Sequence, residues 1–206
     1  MIGDSVQKSL QWCLVLAAVL LLGGCISRSA PRVTYYSLLT MEQLGRTEAL
    51  ASLPEVKLGV GPIAIPDSLK RSQIATRQQG NQYEFAEFHR WAGVLERDIT
   101  SVMGDNLGQL LGIEKVGFFP WLHHFKPTYR LTIDVIRFDG ALEGEAVLSA
   151  RWAVADSEGK DFLAGRKSDY RQPLADASYA ALIKAESQLL AALSKEIAAE
   201  IVALQK

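Results

Sequence analysis

Three histidines and a scatter of carboxylates are the side chains with which this chain could do acid–base or metal chemistry. His123 and His124 are adjacent, and neighbours in extended chain point to opposite sides, so the two do not converge on one ion. No Cys, Asp or Glu stands at ligand spacing from them, which leaves a pair of solvated loop histidines. His89 lies in Glu87-Phe88-His89-Arg90-Trp91. A general acid or base there needs a partner and a pocket, and neither a Gly-x-Ser-x-Gly elbow nor a His-Glu-x-x-His helix accompanies it. It reads as a surface histidine in the first turn of a helix. Asp134, Asp139, Glu143 and Glu145 would need two distinct environments to divide acid from base; they read more simply as outward strand positions and a turn. Gly59-Val60-Gly61-Pro62-Ile63-Ala64 carries the letters of a dinucleotide fingerprint. That mechanism needs a helix N-terminus straight after the strand, to hold a pyrophosphate, whereas Pro62 and Pro66 bracket an extended Ile63-Ala64-Ile65. The chain is therefore expected to hold no metal and no cofactor and not to be an enzyme.

The cysteine at position 25 offers a different chemistry. Met1 to Lys8 is short and polar with one lysine, Trp12 to Leu22 is apolar, and the run ends in Leu22-Gly23-Gly24-Cys25. A charged start, an apolar centre and a small-residue exit mark a secretory signal. A spanning helix needs roughly 20 apolar residues; this run is shorter and meets polar Ser27, Arg28 and Ser29. Leu-Gly-Gly-Cys resembles the lipobox of bacterial lipoproteins. The glycines suit a peptidase cleft that admits only small side chains, and the Cys25 thiol can be alkylated by a diacylglycerol. Several acyl chains hold a protein stably to a membrane where one alone is marginal. Ile26, in place of Asp, resembles the signal for delivery to the outer membrane, facing the periplasm. The expected organisation is a signal peptide over 1–24, a lipidated tether over 25–34 and a single domain over 35–206. Cys13 leaves with the signal and Cys25 is consumed by lipid, so no disulfide forms within the mature chain, although the compartment would permit one. A domain of this size buries on the order of 70% of its unfolded surface and needs no staple. The net charge of −1 gives no footprint for nucleic acid.

The elements that must position these residues follow from periodicity. Tyr35 to Leu39 reads as a first strand and Met41 to Pro54 as a loop or short helix. Val56 to Ile63 alternates as a strand closed by Pro66. Gln73 to Arg77 and Gln82 to Phe85 flank Gln78-Gln79-Gly80-Asn81, a hairpin signal. Phe88, Trp91, Leu95, Ile99, Val102, Asn106 and Leu110 recur at helical steps, predicting a helix from about Phe88 to Leu111 that Gly112 ends. Val116 to Phe119 is a strand. Tyr129 to Val135 and Ala146 to Val154 have the two-residue period of half-buried strands. Asp156 to Lys160 turns the chain, and Phe162 to Arg171 is the last strand. A long helix runs from Ser178 to Leu204, with Leu182, Ile183, Leu189, Leu190, Leu193, Ile197 and Ile201 on its apolar face. The fold class is α+β, a mainly antiparallel sheet packed against two long helices.

From Tyr35 to about Trp152, and in the lipobox, the chain resembles the ABC-type transport auxiliary lipoproteins of the PqiC/YmbA-like family. The resemblance is carried by Tyr36-Ser37-Leu38, then Val60-Gly61-Pro62-Ile63 and Ile65-Pro66, then Leu69-Lys70-Arg71-Ser72-Gln73-Ile74 and Thr76-Arg77. His89-Arg90-Trp91-Ala92 with Leu95, Asn106-Leu107, Pro120-Trp121, Tyr129-Arg130-Leu131 and Phe138-Asp139 complete it. The family often has an aromatic where this chain has Ser68, a Pro at Ser72, and Glu-Pro at Gly93-Val94. The resemblance implies a non-enzymatic outer-membrane accessory that docks an MCE-domain protein of an intermembrane lipid transport system. Loops concentrate binding residues, so Pro62, Pro66, Lys70, Arg71 and Arg77 are the expected partner-binding set. A homo-oligomer fits the prevalence of closed symmetry. The alternative is a stand-alone periplasmic lipid-binding lipoprotein with a pocket under the long helices.

Overall fold

The computed structural model describes residues 12, 31–78 and 82–205. The chain divides into units Met1–Arg32 and Val33–Lys206, and the second is described here. Cys25, the signal segment and the hairpin tip 79–81 lie outside the described residues. The elements run β1 (Thr34–Tyr36), β2 (Leu58–Ala64), a 3-10 turn (Asp67–Leu69), β3 (Gln73–Arg77), β4 (Tyr83–Trp91), α1 (Leu95–Leu111), β5 (Val116–Phe118), β6 (Tyr129–Gly140), β7 (Glu145–Ala155), β8 (Phe162–Pro173) and α2 (Tyr179–Ala203). Among the described residues no helix is long and apolar enough to cross a membrane.

The sheet is α+β as expected but mixed rather than mainly antiparallel. The β3–β4, β6–β7 and β7–β8 pairs are antiparallel. β1 runs parallel to β4, β2 parallel to both β5 and β6, and β3 meets β6 in parallel at Thr76 and Gly140. Alternation tells which residues face a core and says nothing of strand direction. Direction follows from connections: α1 carries the chain back before β5, so β5 can join β2 in parallel. Both helices cover one face, where Leu58, Val60, Leu131, Leu148, Leu107, Leu190 and Ile197 are buried. The apolar face of α2, expected to roof a lipid pocket in the alternative reading, is spent on this core.

The expected helix from Phe88 begins seven residues late. His89 pairs with Thr34 and Trp91 with Tyr36, so β4 carries this stretch as strand, and α1 starts only after Val94. Trp91 and Leu95 both enter the core, which is why a helical step linked them across the boundary. At the far end Gly112 is left-handed (φ 60°), and the Ile113 N–H bonds the Gly108 carbonyl, closing the helix as its glycine predicts. Ser178 caps α2 by accepting the Ala181 N–H at 3.1 Å. The segment after β1 is a strap rather than a helix. Its backbone N–H groups at Leu38, Leu39 and Met41 are taken by Asp98, Ser187 and Asn106, which ties it to both helices.

Candidate docking surface

β5 and β6 are parallel and flank β2, so residues 119–128 must cross over β2. They do so on the face opposite the helices. The crossing is seated on glycines. A Cβ at Gly59 would stand 2.9 Å from the Trp121 ring, one at Gly61 2.9 Å from the Phe119 Cβ, and one at Gly117 would collide with the Phe125 ring. On the helix side, a Cβ at Gly104 would collide with Phe118. Gly61 adds a conformational reason, since its φ of +109° is a region that side-chain-bearing residues avoid. The Gly59-x-Gly61 spacing thus has a packing cause. Both glycines lie within strand β2, which continues as extended chain, and no helix follows to hold a pyrophosphate.

What the glycines seat is apolar and exposed. Phe119 is 51% and Leu122 69% accessible, and Phe119 meets Trp121 edge-on at 5.3 Å. Beside them a cleft of about 570 Å³ opens between the loop and the first turns of α1, with Pro62, Phe118, Phe119 and Pro120 on its apolar lip and Glu96 and Arg97 opposite.

The expected binding residues divide around this cleft. Pro62 lines it. Pro66 precedes the 3-10 turn, Lys70 is paired with Asp67 at 2.7 Å, and Arg71 lies 4.6 Å over the Phe85 ring. Arg77 is spent internally: its Nε and Nη2 donate to Asp139 at 3.2 and 3.0 Å, and Arg137 and Tyr83 donate to the same carboxylate at 2.8 and 2.9 Å. Asp139, expected to face outward, does point away from the helices, because the β6 bulge between Val135 and Arg137 brings Phe138 to the core side instead. It is nonetheless fully buried, beneath the Arg77, Arg137 and Tyr83 side chains that bond it. Burial pushes this carboxyl up, but the hydrogen bonds from Arg77, Arg137 and Tyr83 outweigh it and hold it below the usual range.

Two further groups, Glu186 and Glu196, escaped the sequence reading, and a third, His89, was placed in the wrong element. His89, expected in a helix turn, sits in β4; its Nδ1 is 2.8 Å from the Tyr36 hydroxyl and its ring stacks on Tyr179 at 4.1 Å. Glu186 on α2 is wholly buried with one carboxylate oxygen unpartnered, and burial, with Asp139 nearby, drives its carboxyl well above the ordinary value. Glu196, also on α2, accepts from Trp152 at 3.1 Å, Arg166 at 2.8 Å, and the Ser168 and Tyr170 hydroxyls. Burial raises it, and these four donors more than reverse that. The helical phase of α2 marked Glu186 and Glu196 only as breaks in an apolar stripe. His123 and His124 lie exposed in the crossing loop, and among the described residues no group of His, Cys, Asp and Glu stands together as a metal site.

A mixed sheet with two helices on one face and an aromatic crossover on the other defines an α+β module that holds exposed apolar side chains on its crossover. The chain belongs to the family of ABC-type transport auxiliary lipoprotein components, whose profile matches residues 36–198. It is thereby an auxiliary, membrane-anchored component of ABC-type transport. Its fold is similar to that of an uncharacterized protein at 21% identity, covering 83% of this chain and 99% of that one with a TM-score of 0.68. It is also similar to protein XCC0632 from Xanthomonas campestris, of the DUF330 family, at 17% identity over 84% and 98% of the two chains with a TM-score of 0.69. No curated protein matches the chain.

Proposed function

We propose that this chain is an outer-membrane lipoprotein, cut before Cys25 and anchored through it, that acts without catalysis as a docking component of an MCE-type intermembrane lipid transport system. The tether 25–34 sets the reach of the domain over 35–206 from the inner leaflet. The observation that carries this reading is the pair of exposed apolar side chains Phe119 and Leu122 on the crossing loop, with Phe119 seated against Gly61 at the Pro62 cleft. An exposed apolar patch is a mark of an interaction site, and a patch already fixed in place loses little freedom when a partner arrives. Pro66, Lys70 and Arg71 extend this surface along the neighbouring turn, and Arg77 fixes the strand that follows it. A homo-oligomer would repeat the ridge and raise its avidity.

In-cell photocrosslinking from positions 62 and 119 of the intact lipoprotein, read by mass spectrometry, tests the proposal. An MCE-domain protein is expected as the main adduct. Adducts to this chain alone, under conditions that preserve other envelope complexes, would contradict it. The anchor has its own test: Cys25→Ala should release the protein from washed membranes.

A further inference from the structure

The underside of the same crossing loop holds a charge that enters no ion pair among the described residues. Arg130 sits on β6 facing away from the helices, and its two cross-strand neighbours are small, Gly59 on β2 and Ala155 on β7. Their size leaves a trough, which the chain covers from both sides. Trp121 lies over Gly59 with its ring 5.6 Å from the Arg130 guanidinium, and the Gly159 turn between β7 and β8 passes against the Arg130 Nη1. The Arg130 Nε is buried there without a hydrogen-bond partner. Among the described residues Arg130 enters no ion pair. A guanidinium is always charged, and a buried, unpaired donor on it is costly unless an acceptor arrives.

An internal control shows that this is not how the chain usually treats such a pair. Arg166 lies at the same 5.6 Å over the Trp152 ring, and there Glu196 and Glu200 take its Nε and Nη1 at 2.8 Å each. Arg77, over the Tyr83 ring, has Asp139. Around Arg130 the corresponding acceptor is missing and a cleft of about 460 Å³ stands in its place. Lys126 and His123 line that cleft as further donors, and its carboxylate, Glu158, is held by the Lys160 ammonium. Trp121, Leu122 and Phe125 supply the apolar part of its wall, and Ser157 adds a hydroxyl.

Two cations, Arg130 and Lys126, beside aromatic and aliphatic side chains select a ligand with an anionic head and an apolar tail. We propose that this cleft binds a phosphate-bearing amphiphile: the phosphate accepts from the Arg130 fork and from Lys126, and the first carbons of the tail lie against Trp121, Leu122 and Phe125. Arg is suited to this because its planar fork matches phosphate geometry. The site shares Leu122 with the docking ridge but turns on Arg130 and Lys126 and needs no partner protein, so either reading can fail without the other.

The test titrates the full-length lipoprotein, in a nonionic maltoside, with hexyl phosphate, inorganic phosphate and hexanol, following heat and tryptophan fluorescence. Saturable binding of hexyl phosphate is expected, with inorganic phosphate and hexanol each about tenfold weaker or more. Arg130→Gln should weaken hexyl phosphate about tenfold or more, as loss of a charge-assisted bond does, with the circular dichroism unchanged. Lys126→Gln, on the exposed loop, gives a second weakening if Arg130→Gln does not fold. Inorganic phosphate binding as tightly as hexyl phosphate would overturn the amphiphile, and hexanol doing so would overturn the anion site. Absence of saturable binding by hexyl phosphate, or binding unchanged in both variants, would overturn the proposal outright.

Discussion

Two arginines lie over indole rings at the same distance and have opposite fates. Near α2, Arg166 over Trp152 is one corner of a closed set in which Glu196 gathers four donors. On the other face, Arg130 over Trp121 enters no ion pair among the described residues and opens on a cleft whose one carboxylate, Glu158, is paired with Lys160. The first arrangement satisfies every partner from within and fastens a helix to an edge strand. The second is incomplete as it stands. Where a fold answers its own charges it is building itself, and where it leaves one unanswered in a shaped site it has reserved that charge for something else.

The comparison can be broken most forcefully at Glu196. Glu196→Ala leaves the Trp152 N–H, the Ser168 and Tyr170 hydroxyls and Arg166 without their shared acceptor, and stability should fall by about 3 kcal/mol. Urea unfolding followed by circular dichroism measures it; a loss under about 1 kcal/mol would show that the set is ornamental. Next in size is the seat of the crossing loop. Gly59→Val drives a side chain into Trp121 and Pro127 and should cost about 2 kcal/mol, the usual price of overpacking. It should also move Trp121 off Arg130, seen as a shift of tryptophan emission. A silent substitution there would mean that the loop is not seated at all.

Two acids on opposite sides of the pH scale sharpen the point further. Asp139 is held below its ordinary value, so its contribution is present above the unfolded carboxylate range and fades as pH falls through its folded value. Glu186 is raised, so its folded form keeps a proton that the unfolded chain releases. Its contribution is complete below the ordinary value of 4.5 and is lost as pH climbs through the raised one. Glu186→Gln should therefore gain stability relative to the parent at pH 8 and not at pH 4.5, in paired denaturation curves. Equal curves at both pH values would remove Glu186 from the account.

The smallest effects fall at Arg130. Arg130→Gln removes a buried donor that has no partner and should raise stability by about 1 kcal/mol, in contrast to the loss at Glu196→Ala. Ala155→Glu places an acid directly across from Arg130 on β7 and should add about 0.5 kcal/mol, the scale of an opposite-charge cross-strand pair. By supplying the missing partner it makes the open site resemble the closed one, and hexyl phosphate binding should vanish with it. Stabilisation without loss of binding would separate the orphan charge from the ligand.

Much of this was legible in the chain. The stripe on α2 with its Ser178 cap, the close of α1 at Gly112, the turn around Asp156 and the alternation of β6 and β7 are local signals, each carried by a handful of neighbouring residues. The candidate site was legible only in part. Pro62 marked the right strand end, while Phe119, Leu122 and Arg130 carried no mark of their own, because an exposed aromatic and a buried one look alike in a sequence. The start of α1 was misplaced for a related reason: Trp91 and Leu95 both point inward, and a three- or four-residue step cannot tell a strand that ends from a helix that begins.

By itself the sequence determined the α+β class, a helix closed by Gly112, the long C-terminal helix and the family to which the chain belongs, since each depends on composition, short-range period or motif. Tertiary structure alone decided which strands run parallel, that the paired glycines of β2 make room for Phe119 and Trp121, that Asp139 is buried on the face away from the helices, and that one arginine pairs with two glutamates where another, among the described residues, enters no ion pair. Those facts depend on which distant residues come to share a few ångströms, and no local pattern in the chain records that.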